Sequence, residues 1–265
     1  MCKSAEELGP LTWPMHIPTG TNGTDGFHLK CNEVIATSYM AWKALSSDRL
    51  GAKISTIVAI DMANTKINLD DVPDNCTAIQ TPMDQPLPFD NDSFDFVFLR
   101  YSFTALKVNV LGTFLQELKR VLKPGCYFEW VEPDVPVVGG PLATEFFNRM
   151  AVSLSKIGLD GRLGNHLHEY AVDAGFRDVV HNVISLPIGY TWNDVVGRAF
   201  ANDKHKGLKL FKESLSRAWQ ISEEEYERRI TAVHYEWNHI HKAHSNCGIL
   251  VAKKSIYAID IDDPQ

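Results

Sequence analysis

Two short and nearly continuous apolar runs, Ile57–Ile60 and Phe94–Leu99, constrain the possible fold of this 265-residue chain more than any other feature. Runs this short and this apolar are typical of strands that are covered by helices on both faces of a parallel sheet. Longer amphipathic patterns lie between such runs. The clearest is Val110–Leu122, where apolar residues recur every three or four positions. This alternation predicts right-handed βαβ units and an α/β, doubly wound sheet.

The whole pattern predicts one domain, residues 1–265, with seven strands and a helical insertion over residues 190–244 before the last strand. The predicted strands are Leu11–Ile17, Ile54–Asp61, Cys76–Thr81, Phe94–Leu99, Tyr127–Val131, Val179–Pro187 and Gly248–Lys253. The predicted helices are Leu29–Leu50, Val110–Leu122, Leu142–Ile157, Asn165–Ala174, Trp192–Phe200 and Glu223–His241. Pro124 and Gly125 are predicted to end the second helix. Ser222 is predicted to cap the last helix as part of a capping box with Glu225.

Charge and cysteine content exclude several classes of protein. The formal net charge is −7 and no basic stripe is present, so we expect no nucleic-acid partner. The sequence has no apolar stretch long enough to span a membrane, and its first ten residues lack the apolar core of a signal peptide. Five dispersed cysteines without a CxxC pair indicate a reducing compartment, so we predict a cytoplasmic protein.

No metal site is predicted. His234, His239, His241 and His244 cluster near the end of the last long helix, but no carboxylate or cysteine completes a zinc-binding spacing. We interpret this cluster as a solvent-exposed helix end. The charge-rich stretch 203–242, in which basic and acidic residues nearly balance, is likewise predicted to be a solvated helical surface.

Polar residues that follow the predicted strands are the candidate site, because ligands of a doubly wound sheet bind at the carboxyl ends of its strands. Pro18–Thr24 follows the first strand and is rich in small residues. Asp61 ends the second strand, where a carboxylate can accept both hydroxyls of a ribose. Met83 and Asp84 follow the third strand and can contact an adenine. Each feature also has a plain structural interpretation, as a turn, a strand-ending cap or a proline-stiffened connection.

The acceptor side of the site is predicted from the later strands. Arg100 and Tyr101 follow the fourth strand, and Glu132 and Asp134 follow the fifth, where these carboxylates are either a base, a cation-binding group or simply solvated. Two histidines near a helix start are further candidates for a base, which gives the full set of catalytic candidates as His166, His168, Glu132 and Tyr101. Aromatic residues of the insertion either wall the substrate pocket or pack in the core.

Two longer segments carry a family resemblance. Residues 87–97, LPFDNDSFDFV, resemble the LPFPDNSFDxV segment of class I S-adenosylmethionine-dependent methyltransferases. Residues 117–127, ELKRVLKPGCY, resemble their E-x-x-RVLKPGG-x segment. The stretches 98–101 and 128–133 are similar to methyltransferases of fungal secondary metabolism.

The resemblance implies a seven-stranded Rossmann-like methyltransferase sheet of order 3-2-1-4-5-7-6, with the last strand antiparallel. It also implies S-adenosyl-L-methionine as cofactor and a small-molecule acceptor, and it leaves the oligomeric state and the methylated atom open. By position, the implied cofactor-binding residues are Pro18, Thr19, Gly20, Asn22, Asp61, Met62, Met83, Asp84 and Arg100.

The sequence departs from the family at its glycine loop. Of the expected acid-x-Gly-x-Gly-x-Gly pattern, the aligned positions keep only Gly20, with Gly23 beyond, and 41 residues separate Gly20 from Asp61. An alternative function is therefore a catalytically weakened methyltransferase-fold protein that acts as a binding or regulatory partner. A nicotinamide-dependent oxidoreductase shares this sheet but requires a GxGxxG fingerprint, which the sequence lacks.

Overall fold

The architecture is that of a computed structural model that describes residues 33–37, 56–61, 76–82, 84–103, 106–192 and 195–256. These residues form one seven-stranded mixed sheet with helices packed on it, in the order β3-β2-β1-β4-β5-β7-β6. The strands are β1 Glu33–Thr37, β2 Thr56–Asp61, β3 Cys76–Gln80, β4 Phe94–Arg100, β5 Leu122–Pro133, β6 Arg177–Ile188 and β7 Ala243–Lys253. The predicted α/β class is thereby confirmed.

Strand direction separates the sheet into two parts. Strands β1 to β5 pair in parallel, whereas β7 runs antiparallel to both of its neighbours, β5 and β6. The carboxyl ends of the five parallel strands therefore lie along one edge. This edge is where ligands of open α/β sheets bind.

The first strand is not where the sequence pattern indicated. Glu33–Thr37 pairs with both β2 and β4, although this stretch was predicted to belong to the helix Leu29–Leu50. The predicted strand Leu11–Ile17 lies outside the described residues. Short β-branched stretches such as Val34–Thr37 fit both a helix face and a buried strand, and only pairing with two neighbours distinguishes them.

Six helices are described: α1 Val108–Val121, α2 Pro141–Ser155, α3 Leu163–Asp173, α4 Val195–Leu210, α5 Lys212–Trp219 and α6 Glu223–His239. No helix among the described residues is both long and apolar enough to cross a membrane. The Ser222 hydroxyl accepts a hydrogen bond from the Glu225 N–H at 3.1 Å, which confirms the predicted cap of α6. Helix α5 was not predicted.

The stop signal of the second predicted helix was misplaced. Helix α1 ends at Val121, and Pro124 and Gly125 already belong to strand β5, which begins at Leu122. Gly125 has a φ of +76°, a conformation that glycine adopts without strain. The turn from helix to strand is therefore tighter than the Pro-Gly pair suggested.

The described residues build two hydrophobic cores. The first packs α1 and α3 against one sheet face around Phe128 and Trp130. The second joins α2 to the insertion helices α4, α5 and α6 around Trp237, and it reaches β7 at Cys247. Glu236 of α6 fastens the two parts of this second core, since its carboxylate accepts the N–H groups of Leu142 and Ala143 at the start of α2. The insertion is thus fixed to the start of α2, the helix that follows β5.

Two glycines bring α3 into backbone contact with the sheet. A Cβ atom added to Gly248 of β7 would lie 1.9 Å from the carbonyl oxygen of Gly164, and one added to Gly164 would lie 2.3 Å from that of Glu132. The first turn of α3 therefore rests directly on β5 and β7. This contact fixes the start of α3 relative to the end of β5.

We expect Gly248→Ala to lower the free energy of unfolding by about 3 kcal/mol, because the added methyl group meets backbone that cannot turn aside. Urea unfolding followed by circular dichroism measures this. The matched control is Gly112→Ala in α1, where an added Cβ has no neighbour within 4 Å. That variant should gain up to about 1 kcal/mol from the better helix former. Equal stability of the two variants would contradict the close backbone contact.

Candidate functional site

The end of strand β4 presents a cation and a phenol. Arg100 is 7% exposed, its guanidinium lies 4.5 Å above the ring of Tyr101, and its Nη2 donates to the Tyr101 hydroxyl at 3.0 Å. Its Nε is buried without a hydrogen-bond partner. Tyr101 has a φ of +53°, a strained backbone conformation for an aromatic residue. Such strain persists where the surroundings hold it, often at functional sites.

A buried carboxylate on β5 holds this end of β4 in place. Glu132 is fully buried and accepts hydrogen bonds from the Ser102 N–H and hydroxyl, both at 2.7 Å. It also accepts from the Phe103 N–H at 3.2 Å and from the Trp130 indole at 3.2 Å. Because its oxygens are already occupied, Glu132 positions the residues that follow β4 rather than facing an open cleft as expected.

Burial alters the protonation of two carboxyl groups on β5. Burial raises the pKa of Glu132 to about 7, while the hydrogen bonds from Ser102 act in the opposite direction. Burial likewise raises the pKa of Glu129 to about 7, opposed by the positive charge of Arg100. Both carboxyl groups therefore titrate near neutral pH, and both lie on the strand that borders the site.

Asp134 lies after β5, at the N-terminus of α3. It is 3% exposed and accepts a hydrogen bond from the Asn165 side-chain amide. Burial raises its pKa to about 6, and the charge of Arg162 opposes the shift. A carboxylate at this place complements the positive end of the helix.

The two candidate histidines point elsewhere. His166 pairs with Asp160, with 2.8 Å between Nδ1 and Oδ2, and His168 is exposed on α3. Within the described part of the chain, neither ring is hydrogen-bonded to Tyr101 or Glu132. The fold therefore does not bring the four catalytic candidates into one group.

The insertion contributes a lysine that the sequence analysis missed. Lys204 of α4 extends its ammonium between two rings, 4.9 Å from the centroid of Phe200 and 5.4 Å from that of Phe147. The residue is half-buried. Burial lowers the pKa of Lys204 to about 8, and the charges of Asp203 and Asp134 oppose the shift.

The signal for Lys204 was present in its spacing. Phe200, Lys204 and Leu208 recur every four residues, which places the lysine on the buried stripe of α4. The stretch 203–242 was instead interpreted as a solvated surface because its charges nearly balance. A charged residue inside an apolar stripe indicates burial better than the net charge of the whole stretch does.

The remaining predicted residues divide into two groups. Asp61 is the last residue of β2, in register with Gln80, and Asp84 lies in an exposed turn after β3. Those that lie outside the described residues are Pro18, Thr19, Gly20, Asn22, Met62 and Met83. The segment at Pro18 was expected to follow the first strand of the sheet, but the segment that follows β1 begins at Ser38. Its assignment stays a prediction without that support.

The sequence match covers the parallel half of the sheet. A family described as methyltransferase domain matches residues 33–129. These residues are therefore similar in sequence to a methyltransferase domain. The match begins with β1 and ends within β5, so it includes the strand ends at Asp61 and Arg100. Comparison with curated protein sequences gives no match.

Solved structures share the fold at low sequence identity. Phosphoethanolamine N-methyltransferase 2 of Haemonchus contortus, in complex with S-adenosyl-L-methionine, superposes with a TM-score of 0.52 and 15% identity over 84% of this chain and 49% of that chain. This chain thus spans about half the length of that protein. A Bacillus halodurans protein provisionally described as a methyltransferase superposes with a TM-score of 0.52 and 14% sequence identity, over 86% of this chain and 95% of that chain. The (4+2)-cyclase SpnF superposes with a TM-score of 0.50 and 16% sequence identity, over 85% of this chain and 75% of that chain. These likenesses show a methyltransferase-type fold, which by itself hosts more than one chemistry.

We expect Glu132→Gln to lower the free energy of unfolding by about 1–2 kcal/mol, because the new NH₂ group cannot accept the hydrogen bond from Phe103. Chemical denaturation measures the change. Glu169→Gln, at an exposed position of α3, is the matched control and should stay within about 0.5 kcal/mol of the wild type. Equal losses in both variants would contradict the positioning role.

The raised pKa of Glu132 also predicts how the stability of the protein depends on pH. The folded pKa of Glu132, about 7, exceeds its ordinary value of 4.5, so the folded state retains a proton that the unfolded state releases between these values. Its contribution to stability is therefore present below about pH 4.5 and is lost as the pH rises to about 7. In the wild type, the free energy of unfolding should fall as the pH rises from about 5 to about 7. Glu132→Gln should remove the part of this fall that comes from Glu132 and leave the part that comes from Glu129. An unchanged slope would show that Glu132 does not titrate there.

Proposed function

We propose that this protein transfers a methyl group from S-adenosyl-L-methionine to a small-molecule acceptor. The observation that carries the proposal is the methyltransferase domain over residues 33–129, which coincides with the parallel strands and their carboxyl ends. Bound S-adenosylmethionine supplies an electrophilic methyl group on a sulfonium. The atom that is methylated, oxygen, nitrogen or carbon, is left open.

The ends of the parallel strands fit the adenosine half of this cofactor. Asp61 ends β2 beside the central strand, where a carboxylate suits the two hydroxyls of a ribose. The distance along the chain supports this role, since 24 residues separate Thr37 from Asp61. That spacing is close to the roughly 20 residues of compact nucleotide-binding units. Asp84, in the turn after β3, is the proposed contact to the adenine amino group.

The acceptor side is proposed at the ends of β4 and β5, under the insertion. Arg100 and Tyr101 are held there by the hydrogen bonds of Glu132 with Ser102 and Phe103. Positioning an acceptor in line with the methyl group supplies much of the rate in such a reaction, so a rigid site matters more than a dedicated base. On the similarity of segments 98–101 and 128–133, we further propose an enzyme of secondary metabolism. The dispersed cysteines support a cytoplasmic location.

A second candidate function is a catalytically weakened binding or regulatory protein. The observation that favours it is the segment that follows β1, because residues 38–50 contain no glycine. Glycines at this place normally allow the backbone to approach the cofactor closely. The two candidates differ in whether S-adenosylmethionine binds.

Titration calorimetry with S-adenosylmethionine and its demethylated product, S-adenosylhomocysteine, distinguishes the two candidates. We expect both compounds to bind, and the absence of heat at millimolar ligand would overturn the methyltransferase proposal.

We expect Asp61→Ala to weaken binding of S-adenosylhomocysteine by about 1–3 kcal/mol, because a charged hydrogen-bond acceptor is lost. The matched control is Asp173→Ala, at the exposed end of α3, which should bind as the wild type does. Calorimetry at one ionic strength compares all three proteins. Equal affinities would remove Asp61 from the site.

A further inference from the structure

A pocket that opens to solvent lies between helix α2, the end of α5 and helix α6. Its described apolar lining comes from all three helices and consists of Leu142, Phe146, Trp219, Ala232 and Val233. Phe146, Trp219 and Val233 are buried, whereas Leu142 is 47% exposed, so the apolar surface continues from the core to the solvent. Of the described residues that we propose for the cofactor and the acceptor, none lines this pocket.

Two arginines line the same pocket. Arg149 follows Phe146 by three residues on α2, and Arg229 precedes Ala232 by three residues on α6, so each shares a helix face with apolar lining residues. Glu145, which is exposed, is the third charged residue among the described lining. The pocket therefore has more positive than negative charge, in a chain whose formal net charge is −7.

Arg149 is held in place by neutral groups. Its guanidinium lies 4.7 Å from the centroid of the Trp219 ring, and its Nη2 donates to the Trp219 carbonyl oxygen at 3.3 Å. The Trp219 indole in turn donates to the Ser153 hydroxyl at 2.8 Å. Among the residues that the structure describes, no carboxylate lies within 4.0 Å of the Arg149 guanidinium. Most of its N–H donors thus remain for a ligand.

Arg229 is paired through one nitrogen only. Its Nε donates to the Glu225 carboxylate at 2.8 Å, and that carboxylate also pairs with Arg228. The two terminal nitrogens of Arg229 donate no hydrogen bond to a described residue, and Glu145 forms no ion pair with either arginine of the pocket in that part of the chain. The pocket consequently offers several donors without an anion to accept from them.

We propose that this pocket binds a small carboxylate that carries a short aliphatic chain, at a site separate from the proposed methyl-transfer site. A guanidinium presents paired N–H donors that match the two oxygens of a carboxylate. The guanidinium of Arg149 already covers one face of the Trp219 ring, so the apolar part of the ligand lies on the aliphatic side chains of Leu142, Ala232 and Val233. These contacts suit a flexible chain better than a flat ring.

The occupied pocket joins the insertion to α2. The ligand contacts α2, α5 and α6 together, and it therefore binds only while these helices are packed on one another. By mass action such a ligand stabilises that packing. This inference does not depend on methyl transfer, and S-adenosylhomocysteine binding tests the two separately.

Hexanoate is the probe, and hexanamide is its matched neutral control, because the amide keeps the chain and loses the charge. We expect hexanoate to bind the full chain with a Kd of about 1 mM, as is usual for a ligand of about eight heavy atoms. NMR titration follows the indole N–H resonance of Trp219, which lies in the pocket wall. Hexanamide should bind roughly fivefold more weakly or worse. No shift of this resonance with hexanoate, or equal affinities of the two compounds, would overturn the proposal.

Two variants place the carboxylate at the arginines. Arg149→Met and Arg229→Met should each weaken hexanoate binding roughly fivefold or more, because each removes charged donors. Arg228→Met is the matched control, since Arg228 is an exposed neighbour on α6 that does not line the pocket, and it should bind as the wild type does. Equal affinities of all three variants would show that hexanoate does not contact the arginines.

A third variant should change the affinity in the opposite direction. Glu145→Gln removes the negative charge from the pocket lining at an exposed position, so it should tighten hexanoate binding about twofold without loss of stability. A variant that only disturbs packing has no reason to tighten binding. Weaker hexanoate binding in Glu145→Gln would count against the proposal.

Discussion

The described site depends on one buried carboxylate. Glu132 must be enclosed because β5 is covered on both sides, and a carboxylate in that position requires several donors. It finds them in Ser102, Phe103 and Trp130, which ties the end of β4 to its neighbour. Tyr101, in a strained conformation just before these donors, is held by the same bonds. The position of Arg100 over the Tyr101 ring follows from this arrangement.

The insertion is the second determinant of the site. Glu236 of α6 accepts a hydrogen bond at the start of α2, and the indole of Trp192, just before α4, donates to the Ala243 carbonyl oxygen of β7. The insertion is therefore joined to α2 and to β7. Their shared core reaches β7 at Cys247. Lys204 lies at the rings of Phe147 and Phe200 in that core. In the site that we propose, the cofactor half lies on the sheet and the acceptor half lies beside the insertion, so the two halves come from different parts of the chain.

Prediction from the sequence succeeded where local patterns were strong. The amphipathic stripe of α1, the apolar run of β4 and the serine cap of α6 all appear close to their expected positions. Prediction was wrong at Glu33–Thr37, because a short β-branched stretch has no distinctive period. It also missed Lys204, since a charged residue within a charge-rich stretch was taken to be solvated.

What the sequence determined by itself is the α/β class, the edge of the sheet where a ligand binds and the two segments that resemble methyltransferases. These follow from local periodicity and from short motifs, which are readable along the chain. Only the tertiary structure decided which segment forms the central strand and which polar residues meet. Glu132, predicted as a candidate base, is a buried support, and Lys204, predicted as surface, lies at two core aromatic rings. The physical reason is that burial and pairing depend on contacts between residues distant in sequence, which no local pattern contains.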